Sequence, residues 1–301
     1  MDAIGRLKSA PQQKALKRNP LAQPFLKWAG GKRQLLSEIR KYVPKQFNRY
    51  FEPFVGGGAV LLDLQPKQAV VNDANAELIN LYKVIKTAPN ELIADAKKHR
   101  NTEKYFYEVR SQDREQEFGE LSDVERASRI IFLNKTCYNG LFRVNSQGQF
   151  NVPFGNYAKP VIVDEVVIRA VSHYLNEAQV ELMNCDFEAA LAQAKKGDFI
   201  YLDPPYDPIS DTSSFTGYSL GNFSRDEQQR LKNVCDDLTE GKCKVIQSNS
   251  ATDFIRELYS DTDRYTLIEV EANRNINSIA TGRGKISELL ILNNYAAHVK
   301  K

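Results

Sequence analysis

The chain has 301 residues, of which 42% are hydrophobic and 26% are charged. This is ordinary globular composition, and the length predicts two domains or one domain with a large insertion. The formal net charge of +3 excludes a histone-like polycation and an acidic disordered chain, although a local basic face for nucleic acid remains compatible with it.

The apolar runs and the cysteines indicate an intracellular protein. No run approaches the ~20 apolar residues of a membrane helix, and the first residues lack the apolar stretch of a signal peptide. The 4 cysteines form no Cys-x-x-Cys pair, which is typical of reduced thiols. We therefore predict a cytoplasmic location and a basic, flexible tail over residues 1–20.

The pattern from about residue 25 predicts the start of a doubly wound α/β sheet. The expected elements are, in chain order, a helix near 33–43, a strand at 49–54, a tight turn at 55–58, a helix at 59–64, a strand at 69–72 and a helix with Leu78, Leu81, Tyr82 and Ile85 on one face.

A mostly helical insertion then interrupts the alternation of strands and helices. The later elements are helices at 90–99, 103–112 and 122–136, a loop-rich stretch at 137–160, strands at 180–183 and 198–202, a helix capped by Ser224, and strands near 244–248, 265–271 and 286–293. We predict one catalytic domain, residues 21–86 and 179–301, split by an inserted domain at 87–178.

A glycine turn follows the first predicted strand. Gly56, Gly57 and Gly58 allow the backbone to approach a ligand closely or to take φ > 0. Ligands bind at the carboxyl ends of the strands in an open parallel sheet, where Asp73 is placed to accept hydrogen bonds from two ribose hydroxyls. Together these residues favour a nucleoside cofactor over a plain turn.

The spacing of the glycines excludes two phosphate-binding motifs. The dinucleotide pattern G-x-G-x-x-G would need glycine or alanine in place of Leu61. A P-loop would need glycine in place of Leu26 and serine or threonine in place of Arg33. A nucleoside without a phosphate chain fits better, and S-adenosylmethionine is the common one.

The turn Asp203-Pro204-Pro205-Tyr206 follows the predicted strand at 198–202. The prolines fix the backbone and have no N–H, which leaves carbonyl groups free to accept hydrogen bonds. Asp203 adds a carboxylate and Tyr206 an aromatic face, so the turn suits a planar substrate that bears an amino group. The alternative is a rigid turn with a surface tyrosine.

Four stretches carry a family resemblance: Phe25-Leu26-Lys27-Trp28-Ala29-Gly30-Gly31-Lys32, Phe51 to Gly58, Tyr138 to Tyr157, and Asp203 to Tyr206. In this order they resemble the Dam-type DNA adenine-N6 methyltransferases, a family that includes the GATC-specific methylases of bacterial restriction–modification systems. The resemblance runs from about Pro24 to about Asn293. It implies a Rossmann-like methyltransferase sheet, with target recognition in the inserted, mostly helical domain.

The resemblance implies that S-adenosylmethionine is the cofactor and that no metal takes part. The cofactor contacts expected from the match are Trp28, Ala29, Gly30, Lys32, Phe54, Gly56, Gly57, Gly58, Asp73, Asp186, Phe187 and Asp203. Considered without the family, Asp186 is equally well explained as a helix cap, and Trp28, the only tryptophan, as a core residue.

The resemblance also implies direct transfer of a methyl group to N6 of an adenine that has left the duplex. Hydrogen bonds from N6 to Asp203 and to the Pro204 carbonyl favour a localised lone pair, which attacks the methyl group in line. Pro205 completes the catalytic turn, and Tyr206 stacks on the flipped base. No covalent enzyme intermediate is required, because positioning and electrostatics supply the rate.

The stretch from 135 to 157 mixes basic, aromatic, amide and turn residues, and its composition alone suits a DNA-facing hairpin and an ordinary surface hairpin equally well. The resemblance implies that double-stranded GATC is read by Lys27, Leu141, Arg143, Pro153 and Tyr157, and that the duplex is wedged open by Tyr138 and Asn139. Some relatives carry a basic residue in place of Asn156, so a phosphate contact is in question there.

Three further segments are candidates for the site. Residues 207–222 follow the catalytic turn and suit a closing loop, and 272–285 carry Arg274, Arg283 and Lys285 as a candidate phosphate clamp. The alternative for both is a solvated loop. Ser248-Asn249-Ser250 ends another predicted strand and is a candidate for lining the site.

Two other functions stay open. Related Pro-Pro turns serve methylation of cytosine N4, RNA adenine or a glutamine side chain, although aspartate in first place favours DNA adenine. A catalytically silent DNA-binding module is the other alternative, against which the intact Asp203 and Asp73 argue. A cognate restriction endonuclease is a candidate partner, DNA binding would bring the protein to the nucleoid, and the oligomeric state is open.

Overall fold

The structure is a computed structural model that describes residues 18–28, 32–209, 223–273, 285–293 and 295. The helices of the described residues are α1 (Leu36–Tyr42), α2 (Ala59–Leu64), α3 (Ala76–Thr87), α4 (Pro89–Ala96), α5 (Glu103–Ser111), α6 (Asp123–Thr136), α7 (Glu165–Glu177), α8 (Phe187–Leu191), α9 (Arg225–Glu240) and α10 (Asp253–Leu258). The strands are β1 (Tyr50–Glu52), β2 (Gln68–Asn72), β3 (Gln179–Met183), β4 (Phe199–Leu202), β5 (Lys244–Ser250), β6 (Tyr265–Asn273) and β7 (Lys285–Asn293). None of the described helices is long and apolar enough to cross a membrane.

The strands form one sheet in the order β3-β2-β1-β4-β5-β7-β6. Strands β1 to β5 run parallel, so their carboxyl ends lie at the same edge. Strand β7 is antiparallel to both β5 and β6. The doubly wound, Rossmann-like sheet predicted from the sequence is confirmed. The strand order reverses between β1 and β4, which is where ligands bind in such sheets.

The central strands are buried on both faces and alternate their side chains between two hydrophobic clusters. Tyr50 and Tyr201 point into the cluster that also contains buried residues of α3, α6 and α7. Phe51, Ile200 and Leu202 point into the cluster with residues of α8, α9 and α10. Burial on both faces explains why these strands are nearly continuous apolar runs in the sequence.

The predicted insertion, residues 87–178, shares a core with the sheet. Buried Phe106, Ile131 and Val171 belong to the same hydrophobic cluster as Tyr50 and Tyr201 of the central strands. The helices of the insertion therefore pack on one face of the sheet. The division of the chain into two domains stays a prediction.

Side-chain caps fix where several helices begin. Ser122 and Glu125 form the capping box predicted for α6, with the Ser122 amide donating to Glu125 Oε2 at 2.9 Å. Ser224 caps α9, as predicted. Helix α7 was not predicted, although its N-cap is a recognisable signal, because Asp164 Oδ1 accepts from the Val167 amide at 3.1 Å.

The end of the predicted tail packs on α2. Arg18 Nη2 lies 2.6 Å from Asp63 Oδ1, and the Asn19 amide donates to Gln65 Oε1 at 2.8 Å. Residues 1–17 lie outside the described residues. The last residues of the stretch predicted as flexible therefore make defined contacts with the sheet domain.

Candidate active site and DNA-facing segment

The residues predicted to bind the cofactor and the target base converge at the carboxyl edge of the sheet. Strands β1 and β4 are paired in parallel and flank the point where the strand order reverses. The glycine turn follows β1 and the Asp203-Pro204-Pro205-Tyr206 turn follows β4, so the two turns lie side by side. Asp73 follows β2, the next strand along this edge.

The indole of Trp28 covers the glycine turn. Gly56 has φ +48°, and a Cβ there would lie 2.9 Å from Trp28 Cδ1 and Nε1, so both the conformation and the packing require glycine. Tyr82 Oη donates to the Gly56 carbonyl at 3.0 Å from the other side. The structure thus brings together the predicted residues Trp28, Gly56, Gly57 and Gly58, whereas Ala29 and Gly30 lie outside the described residues.

Asp73 is held against the same turn. Its Oδ2 accepts from the Gly56 amide at 3.0 Å and its Oδ1 from the Asn75 amide at 2.9 Å. Burial raises the pKa of Asp73, and these two amides oppose the rise. An ionised carboxylate offers about four lone-pair sites, so two amide donors do not exhaust its capacity to accept ligand hydroxyls.

A buried acid that the sequence analysis missed lies beneath the turn. Glu52, the last residue of β1, accepts from Tyr50 Oη at 2.8 Å and from the Leu61 amide at 3.1 Å through Oε2. Burial raises its pKa to about 8, with the charges of Asp203 and Asp73 adding to the rise. Glu52 is therefore mainly neutral at pH 7. Its signal in the sequence is a lone acid in an otherwise apolar strand.

The catalytic aspartate predicted from the sequence is paired with a lysine. Lys32 Nζ lies 2.8 Å from Asp203 Oδ1, and the lysine side chain is only 5% exposed. Burial raises the pKa of Asp203 to about 6, the ammonium of Lys32 opposes the rise, and the charge of Glu288 adds to it. Asp203 is therefore mostly ionised at neutral pH, and Lys32, expected to contact the cofactor, contacts the carboxylate that is predicted to be catalytic.

Tyr206 is held on two sides. Its Oη donates to Glu288 Oε2 at 2.8 Å, and Lys32 Nζ lies 4.6 Å from the centroid of its ring. Glu288 belongs to β7, so the antiparallel strand beside β5 reaches the catalytic turn. The sequence analysis missed Glu288 because no local pattern marks an acid in a strand for contact with a turn 82 residues away.

A buried hydrogen-bond network supports the catalytic turn from behind. Gln228 Nε2 donates to the Pro205 carbonyl at 2.8 Å, and Asn249 Nδ2 donates to Gln228 Oε1 at 3.0 Å. The Asp207 amide donates to Asn249 Oδ1 at 3.2 Å, and Ser250 Oγ to the Asp207 carbonyl at 2.7 Å. One of the two proline carbonyls is thus already engaged, and this part of β5 braces the turn.

The predicted adenine-binding pair follows β3. Asp186 caps α8 and forms an ion pair with Arg230 at 2.7 Å, which lowers its pKa. Phe187 is buried and packs on Phe54 with ring centroids 5.5 Å apart. Arg230 also lies over the ring of Phe187, 4.2 Å from its centroid. Phe54 and Phe187 together form an aromatic wall beside the glycine turn. The helix-cap role of Asp186 is confirmed.

Residues 137–157, called the recognition segment below, form an ordered loop. Isolated antiparallel bridges join Cys137 to Phe154 and Val144 to Phe150. The predicted DNA-contacting residues are exposed or half-buried: Lys27, Tyr138, Asn139, Arg143 and Pro153 are exposed, and Leu141 and Tyr157 are half-buried. Lys27 and Tyr157 are in contact, since Lys27 Nζ lies over the ring of Tyr157, 5.0 Å from its centroid.

The recognition segment contacts the cofactor-side residues directly. Trp28, which covers the glycine turn, stacks on Phe142 with ring centroids 5.0 Å apart and an interplanar angle of 20°. Arg143 is oriented by Asn151, whose Oδ1 accepts from Arg143 Nε at 2.8 Å. One aromatic stack therefore links the predicted DNA-reading loop to the predicted cofactor site.

Residues 210–222 of the predicted closing loop, and Arg274 and Arg283 of the predicted phosphate clamp, lie outside the described residues. Within the part of the chain that the structure describes, no group of three or more His, Cys, Asp or Glu side chains is arranged to hold a metal ion.

Comparison with known proteins shows which family the chain is similar to. Residues 28–276 match the model of the D12 class N6 adenine-specific DNA methyltransferases. The chain is 44% identical to a type II methyltransferase of Lactococcus lactis subsp. cremoris (90% of this chain, 95% of that protein). It is 40% identical to a type II methyltransferase of Methanocaldococcus jannaschii (90% and 99%) and 37% identical to the DNA adenine methylase of Escherichia coli strain K12 (89% and 94%). The chain therefore belongs to the D12 class N6 adenine-specific DNA methyltransferase family.

Proposed function

We propose that this methyltransferase transfers a methyl group from S-adenosylmethionine to N6 of the adenine in double-stranded GATC, after flipping that base out of the duplex. The observation that carries the proposal is that Asp203 and Tyr206 follow β4, while the glycine turn, held by Asp73, follows the neighbouring strand β1 where the strand order reverses. A carboxylate, an aromatic ring and a nucleoside-type turn at one crevice suit an amino-bearing base beside a nucleoside cofactor.

The residues at the glycine turn fit S-adenosylmethionine. Asp73 retains acceptor capacity for ribose hydroxyls, and Phe54 with Phe187 offers an apolar wall for an adenine ring. Trp28 and Gly56 line the side on which the methionine part would lie. When bound, S-adenosylmethionine supplies an electrophilic methyl group on sulfur. The chain's own residues supply orientation, because such a donor needs neither a metal nor a covalent enzyme intermediate.

The catalytic turn prepares the nitrogen of the target. The N6 amine donates to the Asp203 carboxylate and to the Pro204 carbonyl, which favours a pyramidal nitrogen with a localised lone pair. Because the pKa of Asp203 is about 6, the group is an acceptor at neutral pH rather than a strong base. The N6 proton becomes acidic only once the methyl group is attached, and Asp203 can then accept it.

Tyr206 holds the base flat. Its ring stacks on the flipped adenine while Glu288 and Lys32 fix the ring from two sides. Unpairing and unstacking the target costs roughly a few kcal/mol. That cost is offset by stacking of the base on Tyr206 and by Tyr138 and Asn139, which fill the space that the base leaves in the duplex. Both wedge residues are exposed, as this role requires.

The recognition segment reads the remaining bases. Lys27, Arg143 and Pro153 are exposed and Leu141 and Tyr157 are half-buried. A bidentate contact of Arg143 to guanine contributes roughly 1–3 kcal/mol of discrimination. The relatives named DNA adenine methylase support DNA as the substrate. Two relatives are named type II methyltransferases, which keeps a cognate restriction endonuclease as a proposed partner.

Labelled methyl transfer to matched duplexes tests the proposal. We expect incorporation into a GATC duplex, none when the adenine is replaced by N6-methyladenine, and little into a duplex with the site scrambled. Plasmid digestion with nucleases that differ in sensitivity to methylated GATC identifies the modified site. Incorporation into cytosine, RNA or protein would support the alternative nitrogen substrates, and specific GATC binding without transfer would indicate a silent binding module.

A further inference from the structure

Asn134 holds together two segments that the proposed function brings to the DNA. The side chain is completely buried at the end of α6. Its Oδ1 accepts from the Lys27 amide at 2.9 Å, and its Nδ2 donates to the Lys27 carbonyl at 2.7 Å and to the Gly140 carbonyl at 3.0 Å. One side-chain amide thus bonds both polar backbone groups of Lys27, as a neighbouring strand would, and ties them to the recognition segment.

The packing around this amide is equally restrictive. Gly140 has φ +64°, and a Cβ there would lie 2.7 Å from Lys27 Cβ and 2.4 Å from Lys27 Cδ. Position 140 therefore has no room for a side chain, because the stem of Lys27 lies across it. Cys137, which precedes the turn at Tyr138–Gly140, donates through Sγ to the carbonyl of Leu141, which follows it, at 3.1 Å.

We propose that Asn134 is a positioning residue for target recognition, setting the distance and register between Lys27 on one segment and the wedge and base-reading residues 138–143 on the other. This inference rests on the proposed function and deepens it. Base readout requires side chains from both segments to meet neighbouring base pairs at fixed spacing. No local geometry of either segment alone fixes that spacing, whereas the three hydrogen bonds of Asn134 do.

The same bonds explain why a change of Asn134 should affect discrimination between DNA sequences rather than affinity for the cofactor. Trp28 follows Lys27 in the chain, but its packing on Gly56 of the glycine turn involves neither Asn134 nor the recognition segment. Loss of the Asn134 amide leaves the Lys27 N–H, the Lys27 carbonyl and the Gly140 carbonyl without this partner. The segments then shift relative to each other while the cover of the glycine turn is retained.

The test compares Asn134→Leu and Asn134→Asp with the control Thr136→Val. Thr136 is also completely buried on α6, but its hydroxyl bonds within the helix, to the Phe132 carbonyl at 2.6 Å. Leucine keeps the shape of asparagine without its hydrogen bonds, and aspartate keeps the acceptor for the Lys27 amide while losing both N–H donors. Asn134→Asp also serves if Asn134→Leu fails to fold.

Three quantities are measured for each variant. The first is kcat/KM on the preferred duplex relative to duplexes with one base pair changed. The second is the fluorescence of 2-aminopurine at the target position, which reports flipping. The third is cofactor affinity, followed by the fluorescence of Trp28, the only tryptophan. We expect the discrimination ratio to fall about tenfold or more in both Asn134 variants, with weaker 2-aminopurine signals, cofactor affinity within about twofold, and no change for Thr136→Val.

A folded Asn134 variant with unchanged discrimination would overturn the inference, as would equal losses in the Thr136→Val control. Parallel loss of cofactor affinity and discrimination would also overturn it, because Asn134 would then support the whole domain. The ratio is measured on whichever duplex the unmodified enzyme prefers. A preference for a site other than GATC would therefore contradict the proposed specificity while leaving this test intact.

Discussion

The catalytic edge of the sheet and the recognition segment are built differently. At the edge, functional side chains already have protein partners: Lys32 pairs with Asp203, and Tyr206 donates to Glu288. In the recognition segment most of the corresponding side chains are exposed, as Tyr138 is by 50%, and Leu141 and Tyr157 are half-buried. The edge is thus organised before substrate arrives, whereas we expect the recognition segment to gain most of its contacts on binding DNA.

This difference predicts that substitutions in the two regions will impair different kinetic properties. A change at the edge removes an interaction that acts on the reacting nitrogen and should lower kcat. A change in the recognition segment removes an interaction with DNA and should alter sequence preference or KM instead. Predictions on the two regions therefore have different readouts, and mixed results would show where the comparison fails.

The largest effect is expected for Asp203→Asn. The amide keeps the shape and one acceptor oxygen for Lys32, but it lacks the charge that favours the nucleophilic form of N6. We expect kcat to fall about 100–1000-fold, with cofactor affinity within about an order of magnitude. Single-turnover transfer to a GATC duplex measures the loss.

Asp198, at the other end of β4, is the matched control for Asp203. It is buried and paired with Arg49 at 2.9 Å, far from the predicted substrate. Asp198→Asn should lower the free energy of unfolding by about 1–3 kcal/mol and leave kcat near that of the unmodified enzyme. If Asp203→Asn instead lost stability or cofactor binding while Asp198→Asn lost turnover, the catalytic assignment would be wrong.

The next effect is a shift in pH dependence for Lys32→Met. The acidic limb of the kcat profile should lie near pH 6, where Asp203 takes up a proton. Removing the ammonium removes the group that lowers this pKa, so the limb should move upward by about 1–3 units. Activity is then low at neutral pH and recovers as the pH rises.

Lys232→Met is the matched control, since Lys232 forms a half-buried pair with Asp236 on α9, outside the site. Its profile should keep the limb near pH 6. An unmoved limb in Lys32→Met would mean that Asp203 is not the titrating group. Cofactor affinity is measured alongside, because the sequence analysis also places Lys32 at the cofactor.

A smaller, more selective effect is expected for Arg143→Ala. Because the guanidinium is exposed and held by Asn151, its loss should relax discrimination at one base pair, by about 5–150-fold in kcat/KM. The control is Arg169→Ala, an exposed arginine of α7 paired with Glu165. Uniform weakening across all sequences would identify Arg143 as a phosphate contact.

Much of the site could be predicted because its signals are local. The turns at Gly56 and Asp203 and the acid at Asp73 each follow a strand whose apolar run is visible in the sequence. Parallel strands bring such ends together without further information. The Lys32–Asp203 pair and the Tyr206–Glu288 contact could not be predicted in this way, because they depend on where distant segments come to lie.

The fold shows the same limit. Helices α8 and α10 span 5 and 6 residues, too few for a helical period to be recognised. The position of β7 between β5 and β6 depends on pairing between non-consecutive strands, which the strand patterns alone do not specify. Helix α7 is a different case, because its 13 residues and the Asp164 cap carried a readable signal.

The smallest effect is expected for Tyr206→Phe, which separates the hydroxyl group from the aromatic ring at the catalytic edge. The ring that stacks on the target is retained, and only the hydrogen bond to Glu288 is lost. A hydrogen bond from a neutral donor to a charged acceptor contributes about 1.5–3 kcal/mol when fully formed, and less when water can replace it. We therefore expect kcat to fall by about 3–10-fold. Tyr206→Leu removes the ring as well and should cost about tenfold more, since base stacking on an aromatic ring contributes about 1–3 kcal/mol. Equal losses in the two variants would make the hydroxyl, and not the ring, the important group, and orientation by Glu288 would then outweigh stacking.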